Sequence, residues 1–215
     1  MDKKFKMDKP KIPTHIKQGS FHDIYGNEDP FLMNSIIQDC SIERETIDKV
    51  DISNVIFRNV TFIDVNFNNM ELTDVTFENC DLSNANLFEA IIHRVEFKDS
   101  KLLGVNLAES TFGNVLFNGC NLNLGAFGYS NLKYVTFEKC SLRNADFYEC
   151  KFKNIHFSQC DLHEVNFSRA PLKGIDISTS TFERLIVTLE DLDGCKVSPE
   201  QAIGFARMIG LVVKE

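Results

Sequence analysis

Residues 50–69, VDISNVIFRNVTFIDVNFNN, place Phe57, Phe62 and Phe67 five apart, each with a valine two positions earlier (Val55, Val60, Val65). That spacing matches neither the two-residue period of a simple strand nor the 3.6-residue period of a helix. Residues i−2 and i of an extended stretch point to one side, so each unit reads as a short side followed by a corner. With the large residue at i, the register runs without slip from Ile37 through Ile42, Ile47 and Ile52 to Val187.

The number of sides in one coil follows from where the same pair recurs. Val55/Phe57, Val75/Phe77, Val95/Phe97, Val115/Phe117, Val135/Phe137 and Ile155/Phe157 return every twenty residues, so four units close a coil. Another column, Cys40, Val60, Cys80, Ser100, Cys120, Cys140, Cys160 and Ser180, holds mostly small residues, as a narrow close-packed interior requires. Units such as NANLF (84–88), NADFY (144–148) and EVNFS (164–168) resemble those of pentapeptide-repeat proteins. The resemblance implies an all-β fold, a right-handed quadrilateral β-helix. Stacked at ~4.8 Å per coil, seven to eight coils make a rod of roughly 36 Å, filled by side chains and without a cleft.

Three segments follow: a tail and cap over 1–36, the repeat over 37–190, and a C-terminal cap, helix and dimerisation strand over 191–215. The first fifteen residues, lysine-rich and holding two of the tail's prolines, read as disordered, and Phe21, Ile24, Tyr25, Phe31 and Leu32 as a lid on the first ring. A functional basic arm is the other reading of the tail. Gly125 and Gly128 predict a local kink. Glu190 ends the array, and SPEQAIGFARMIG then reads as a helix, with Ser198 as N-cap, Gln201 completing a capping box and Gly210 as the stop. Its apolar stripe is Ala202, Phe205, Ala206 and Ile209, and Leu211–Val213 follow as a short strand.

No phosphate loop, nucleophile elbow or metal-binding helix motif is present, and the five histidines have no ligand spacing, so neither catalytic residues nor a metal or cofactor are expected. All seven cysteines fall in the i−2 register, which assigns them to packing. Unpaired thiols, no membrane-length apolar run and no signal-peptide pattern point to the cytoplasm.

The net charge of −8 is uneven. Asp51, Asp64, Glu71, Asp74, Glu78, Asp81 and Glu89 face one base, Arg58, across residues 51–90, giving −6. Over two coils that is about one charge per ~1.6 Å, close to the ~1.7 Å of duplex DNA. The whole repeat is several-fold sparser, and an acid excess also simply keeps a rod soluble.

The C-terminal stretches 171–185 (PLKGIDISTSTFERL) and 192–213 (LDGCKVSPEQAIGFARMIGLVV) resemble the terminus of Qnr-type quinolone-resistance proteins of the Gram-positive kind, most closely at Ser198, Pro199, Glu200, Gln201 and Ala202. The resemblance implies a tail-to-tail homodimer through Phe205, Ile209, Leu211 and Val213. It also implies binding to DNA gyrase and topoisomerase IV as a DNA mimic, with no direct contact to nucleic acid or membrane. Loops found in Gram-negative members have no room in this register. A scaffold or immunity-type module, binding another protein through Ile63/Leu103 and Phe88/Tyr148, is the alternative.

Overall fold

The structure, a computed structural model, describes residues 6–26 and 29–214. Strands β1 (Lys17–Gln18), β2 (Phe31–Glu43), β3 (Asp51–Ile63), β4 (Glu71–Glu78), β5 (Ile91–Lys98), β6 (Thr111–Asn118), β7 (Asn131–Glu138) and β8 (Lys151–Ser158) form one sheet in chain order. Every neighbour is parallel, and from β2 onward each step is twenty residues: Val55 pairs with Val75, and Val75 with Val95. The other sides are too short for long ladders and appear as single parallel bridges at the same offset, such as Thr61 to Asp81 and Asn66 to Asn86. The chain is therefore a parallel solenoid of about seven coils.

The corners are made by a left-handed residue two positions after each large one. Asn54, Asn59, Asp64 and Asn69 have φ between 51° and 58°, and the pattern continues along the rod. Asn and Asp tolerate this conformation better than other side chains. Gly119, at φ +67°, takes the position above Asp99, whose carboxylate would lie 2.4 Å from an added Cβ. The expected kink is absent: Leu124 and Tyr129 keep φ near 60° and 63°, and Ala126 bridges both neighbouring coils.

Inside, Phe57, Phe77, Phe97, Phe117, Phe137 and Phe157 stack face to face with centroids 4.7–5.1 Å apart. That distance equals the spacing of hydrogen-bonded strands, so the rings follow the backbone without slipping. A void of about 10 Å³ among Phe57, Phe62, Met70 and Phe77 is at the least volume that holds a water. The slim column does more than save space. In it Cys120 and Cys140 donate S–H to the carbonyls of Phe97 and Phe117 at 3.4 Å, and in the column half a coil away Cys150 and Ser130 do the same to Phe127 and Leu107 at 3.0 Å. Burial pushes the Cys150 thiol up to about 12. Cys40 departs from the packing assignment, because it lies exposed in the first coil, where only Lys17 and Gln18 of β1 pair with β2 on its outer edge.

The tail corrects a second expectation. Residues 6–18 are an ordered strap, not a disordered arm, while residues 1–5 lie outside the described residues. The Asp8 amide donates to Asn114 Oδ1 at 3.1 Å and the Lys11 amide to Asp74 Oδ1 at 2.8 Å. Three extended residues cover ~10 Å, which matches two coils, so the strap runs down one corner of the rod. Met7, Pro10, Ile12 and Ile16 are half-buried along it. The lid is built by a 3-10 turn, Phe21–Gly26, whose Phe21 and Ile24 are buried, with Phe21 5.8 Å from the Phe67 ring. Leu32 is instead a core residue opposite Ile52, so the winding begins one unit before Ile37. Phe31 opens that strand half-buried, and Tyr25 stays exposed, its hydroxyl donating to Glu45.

At the other end the coil breaks after Val187, but the buried acid is Asp191 and not Glu190. Asp191 accepts from the Thr188 hydroxyl at 2.7 Å and the Arg169 amide at 3.1 Å. Helix α1 (Pro199–Met208) starts with the expected capping box at Ser198 and Gln201. Gln201 also donates to the carbonyls of Ile177 and Ser180 at 3.0 and 2.7 Å, covering the end of the solenoid. Residues 211–214 form no strand, since a short segment needs a ladder partner that the chain does not provide.

Candidate functional site

Stacking at twenty residues decides which charges meet, and it changes the acidic zone read from residues 51–90. Arg94 reaches back one coil to hold both carboxylate oxygens of Asp74 at 2.6 Å. Glu78 lies 2.9 Å from Arg58 and 3.8 Å from Lys98, and Asp81 lies 3.3 Å from Lys101. A count along the chain misses these bases because all but Arg58 belong to the next coil. Asp74 is also only 7% exposed, covered by the strap. Three of the seven acids are thus internally compensated.

Asp51, Asp64, Glu71 and Glu89 are exposed and have no ion-pair partner among the described residues. Asp51 and Glu71 are register neighbours, and Glu89 lies on the adjoining corner. Glu109, one coil beyond Glu89 and equally exposed, extends the same edge. It falls outside the window and is visible in the sequence only as a period-twenty column. Asp51, Glu71, Glu89 and Glu109 form the acidic edge that the fold leaves open; Asp64 sits on another corner.

Asp74 gives a prediction of its own. The Arg94 guanidinium holds its carboxyl below 3.8 against the opposing effect of burial, and the Lys11 amide adds to the depression. A depressed acid stabilises the fold above its unfolded value and loses that contribution as pH falls through the folded one. Asp74→Asn should cost about 2 kcal/mol at pH 7, or about 4–8 °C in Tm. The gap from the parent should shrink progressively below about pH 4. Thermal unfolding at pH 7 and pH 2.5 checks this; a gap that does not depend on pH refutes it.

The apolar candidates lie where the register put them. Ile63 is 40% exposed, while Leu103, Phe88 and Tyr148 are half-buried. They are not contiguous: Ser83 separates the first pair, and Ala108 and Gly128 the second. Tyr148 instead meets Tyr129 edge-on at 5.5 Å, with Arg169 over its ring at 5.7 Å and 2.6 Å from Glu149.

At the C-terminal end, the residues assigned to pairing divide. Phe205 turns inward onto Phe182 at 5.5 Å. Ile209 and Leu211 are 50% and 57% exposed, Val213 is half-buried, and Val212 beside it is 88% exposed. Among the described residues no group of three or more His, Cys, Asp or Glu could hold a metal ion. No helix among them is long and apolar enough to cross a membrane.

A family model described as "Pentapeptide repeat region" matches residues 70–139, 90–167 and 130–198. The chain is 52% identical over 210 residues to the uncharacterized protein YisX of Bacillus subtilis (strain 168), covering 98% of this chain and 99% of that one. Among solved structures it aligns with a trypsin-treated form of QnrB1, a plasmid-mediated fluoroquinolone resistance protein, at 19% identity and TM-score 0.42, covering 86% of this chain and 97% of that one. HetL of Nostoc sp. strain PCC 7120, a pentapeptide repeat protein involved in heterocyst differentiation regulation, aligns at 16% identity and TM-score 0.35, covering 85% and 95%.

Proposed function

The chain belongs to the pentapeptide-repeat family, and from that premise we propose a cytoplasmic, non-catalytic interaction protein that docks as a homodimer on DNA gyrase and topoisomerase IV in the manner of DNA and protects them from quinolones. The target comes from the C-terminal resemblance around Ser198–Ala202. The observation that carries the mode of action is the open acidic edge, Asp51, Glu71, Glu89 and Glu109, on a solid-cored rod. The interior is filled by side chains, and the hollows on the outside, such as that of about 380 Å³ between Asn154 and Lys173, are open to solvent, so the surface is what the rod has to offer. Charges at the rim of a contact chiefly set the association rate and its salt dependence.

The test is gyrase supercoiling with and without ciprofloxacin across a titration of the purified protein. The drug-inhibited reaction should recover as protein is added. Changing Glu71, Glu89 and Glu109 to Lys should raise the concentration needed by about tenfold or more. Recovery that is equal with this variant would eliminate the acidic edge as the docking surface. Reversal at Asp74, Glu78 and Asp81 is a poorer probe, because it breaks ion pairs that join one coil to the next.

The alternative, a scaffold or immunity-type module for an unrelated protein, is favoured by the Tyr129, Tyr148 and Arg169 cluster, since tyrosine and arginine are enriched at binding hot spots. On that reading, Ala at Tyr129 and Tyr148 weakens the interaction more than charge reversal does.

A further inference from the structure

The ladder between successive coils fails in one place. Along most of the rod a large inward residue and the residue two after it donate their amides to the next coil, as Leu142 does to Asp161 at 2.8 Å and Asn144 to His163 at 3.0 Å. Phe152 and Asn154 hold these positions in β8, with the carbonyls of Pro171 and Lys173 as the corresponding acceptors, yet neither bond forms. Asp176 likewise makes no bond to Ile155, although Asn166 in the equivalent position donates to Ala145 at 2.9 Å. β8 pairs only with β7 and ends the sheet.

The break is a bounded window, not a frayed end. Before it, Phe147 and Glu149 donate to Asn166 and Ser168 at 2.8 and 3.1 Å; after it, Thr181 donates to Cys160 at 2.8 Å. The lip formed by residues 171–178 is held from the C-terminal side, where Gly174 donates to Gly194 at 2.9 Å and Lys196 to Ile175 at 2.8 Å. Pro171 supplies a cause: Asn131 and Lys151, in its column, donate to Ser110 and Ser130 at 2.9 Å, and proline has no amide to offer Cys150. A Cβ added to Gly174 would meet nothing within 4 Å, whereas one on Gly104, at an equivalent corner, would lie 2.5 Å from Asn84 in the coil before it. The lips therefore stand apart, and the hollow of about 380 Å³ between them opens onto Phe152, which is half-buried where Phe112 and Leu132 in its column are 1% exposed.

We infer that this window is a docking site for an extended peptide segment of a partner protein, which pairs with β8 as an added strand. The amides of Phe152, Asn154 and Asp176 and the carbonyls of Ile155, Pro171 and Lys173 line it, and none of the six makes a bond across the gap. Main-chain donors and acceptors in alternation are matched by another main chain, and an open strand edge is a template for one. Floor and rim then narrow the sequence. Side chains of a strand alternate between its two faces, so one set rests on Phe152, Ile155 and Ile175 while the other emerges beside Lys153 and Lys173. Around the rim Lys153, Lys173 and Lys196 outnumber Asp176 and Asp193, so the segment that fits alternates apolar and acidic residues. Three to four of its residues, ~10–13 Å of extended chain, lie within the window.

Fluorescence anisotropy of a fluorescein-labelled peptide of alternating valine and aspartate, about eight residues long, titrated with the full chain, tests the inference. Hydrogen exchange read by mass spectrometry on the same mixture reports where the peptide sits. The peptide should bind and should slow exchange across residues 151–158. The same peptide with every amide N-methylated keeps its side chains and loses its donors, and should bind about tenfold or more weakly. Pro171→Asn restores the missing donor to the ladder, and should close the window and weaken peptide binding by a similar factor. No anisotropy change at ~0.5 mM protein, equal binding of the N-methylated peptide, undiminished binding to Pro171→Asn, or unchanged exchange across 151–158 in the bound mixture would each overturn it.

Discussion

Phe137→Ala is expected to cost about 3–5 kcal/mol and to divide the unfolding of the rod into two steps. Phe137 is fully buried, fifth of the six rings in its column, between Phe117 at 5.0 Å and Phe157 at 5.1 Å, and it meets Phe127 and Phe147 edge-on at 6.1 and 5.8 Å. Removing the ring leaves a hole bounded by backbone that strand spacing holds in place, so the site cannot collapse. Each coil touches only its neighbours, and a weak link there uncouples the coils on its two sides. Urea titration followed by far-ultraviolet circular dichroism should give a single transition for the parent and a biphasic curve, or a much lower midpoint, for the variant. Phe182→Ala, at a half-buried ring near the end, should cost less and keep one transition. Equal effects at both positions would contradict the linear-array description.

The same residues show why so much of the fold was legible. An inward pair every five positions and an identical pair every twenty leave one winding that buries them all, so Val55/Phe57 and its copies fixed strand register as well as fold. Corners carried a signal as well, in the Asn and Asp residues from Asn54 to Asn84, although Leu124, Tyr129 and Tyr134 adopt the same left-handed turn without it. There the neighbouring coils impose the conformation on side chains that would not choose it.

What escaped the sequence were contacts between separate periodicities. The strap has no repeat of its own, and its hold on Asn114 and Asp74 comes from two backbone amides that composition does not reveal. Arg94 and Asp74 are twenty apart, so a charge count over consecutive residues placed a free acid where the fold makes a buried pair. Glu109 was overlooked for the converse reason, since it belongs to the acidic edge by column and to a neutral stretch by sequence. For a solenoid, electrostatics should be counted along columns.

Changing both Ile209 and Leu211 to Glu should convert the protein from a dimer to a monomer without unfolding it. No residue of helix α1 is fully buried, and Ile203, Met208, Ile209, Leu211 and Val212 together present apolar surface at the tip of the rod, each at least 40% exposed. A ten-residue helix has little stability by itself, and a cluster of this kind at the end of a rod is what a second copy would cover. Light scattering should return twice the 24.5 kDa chain mass for the parent and the single mass for the variant. Burying two carboxylates without partners costs several kcal/mol, enough for about a thousandfold or more in dissociation constant. Phe205→Ala separates the two jobs of this segment. Phe205 packs on Phe182 of its own chain, so its loss should lower Tm while the mass stays doubled. A parent that scatters as a monomer at 100 µM, or a double variant that remains a dimer, would remove the tail from the assembly and leave it only its role as a plug.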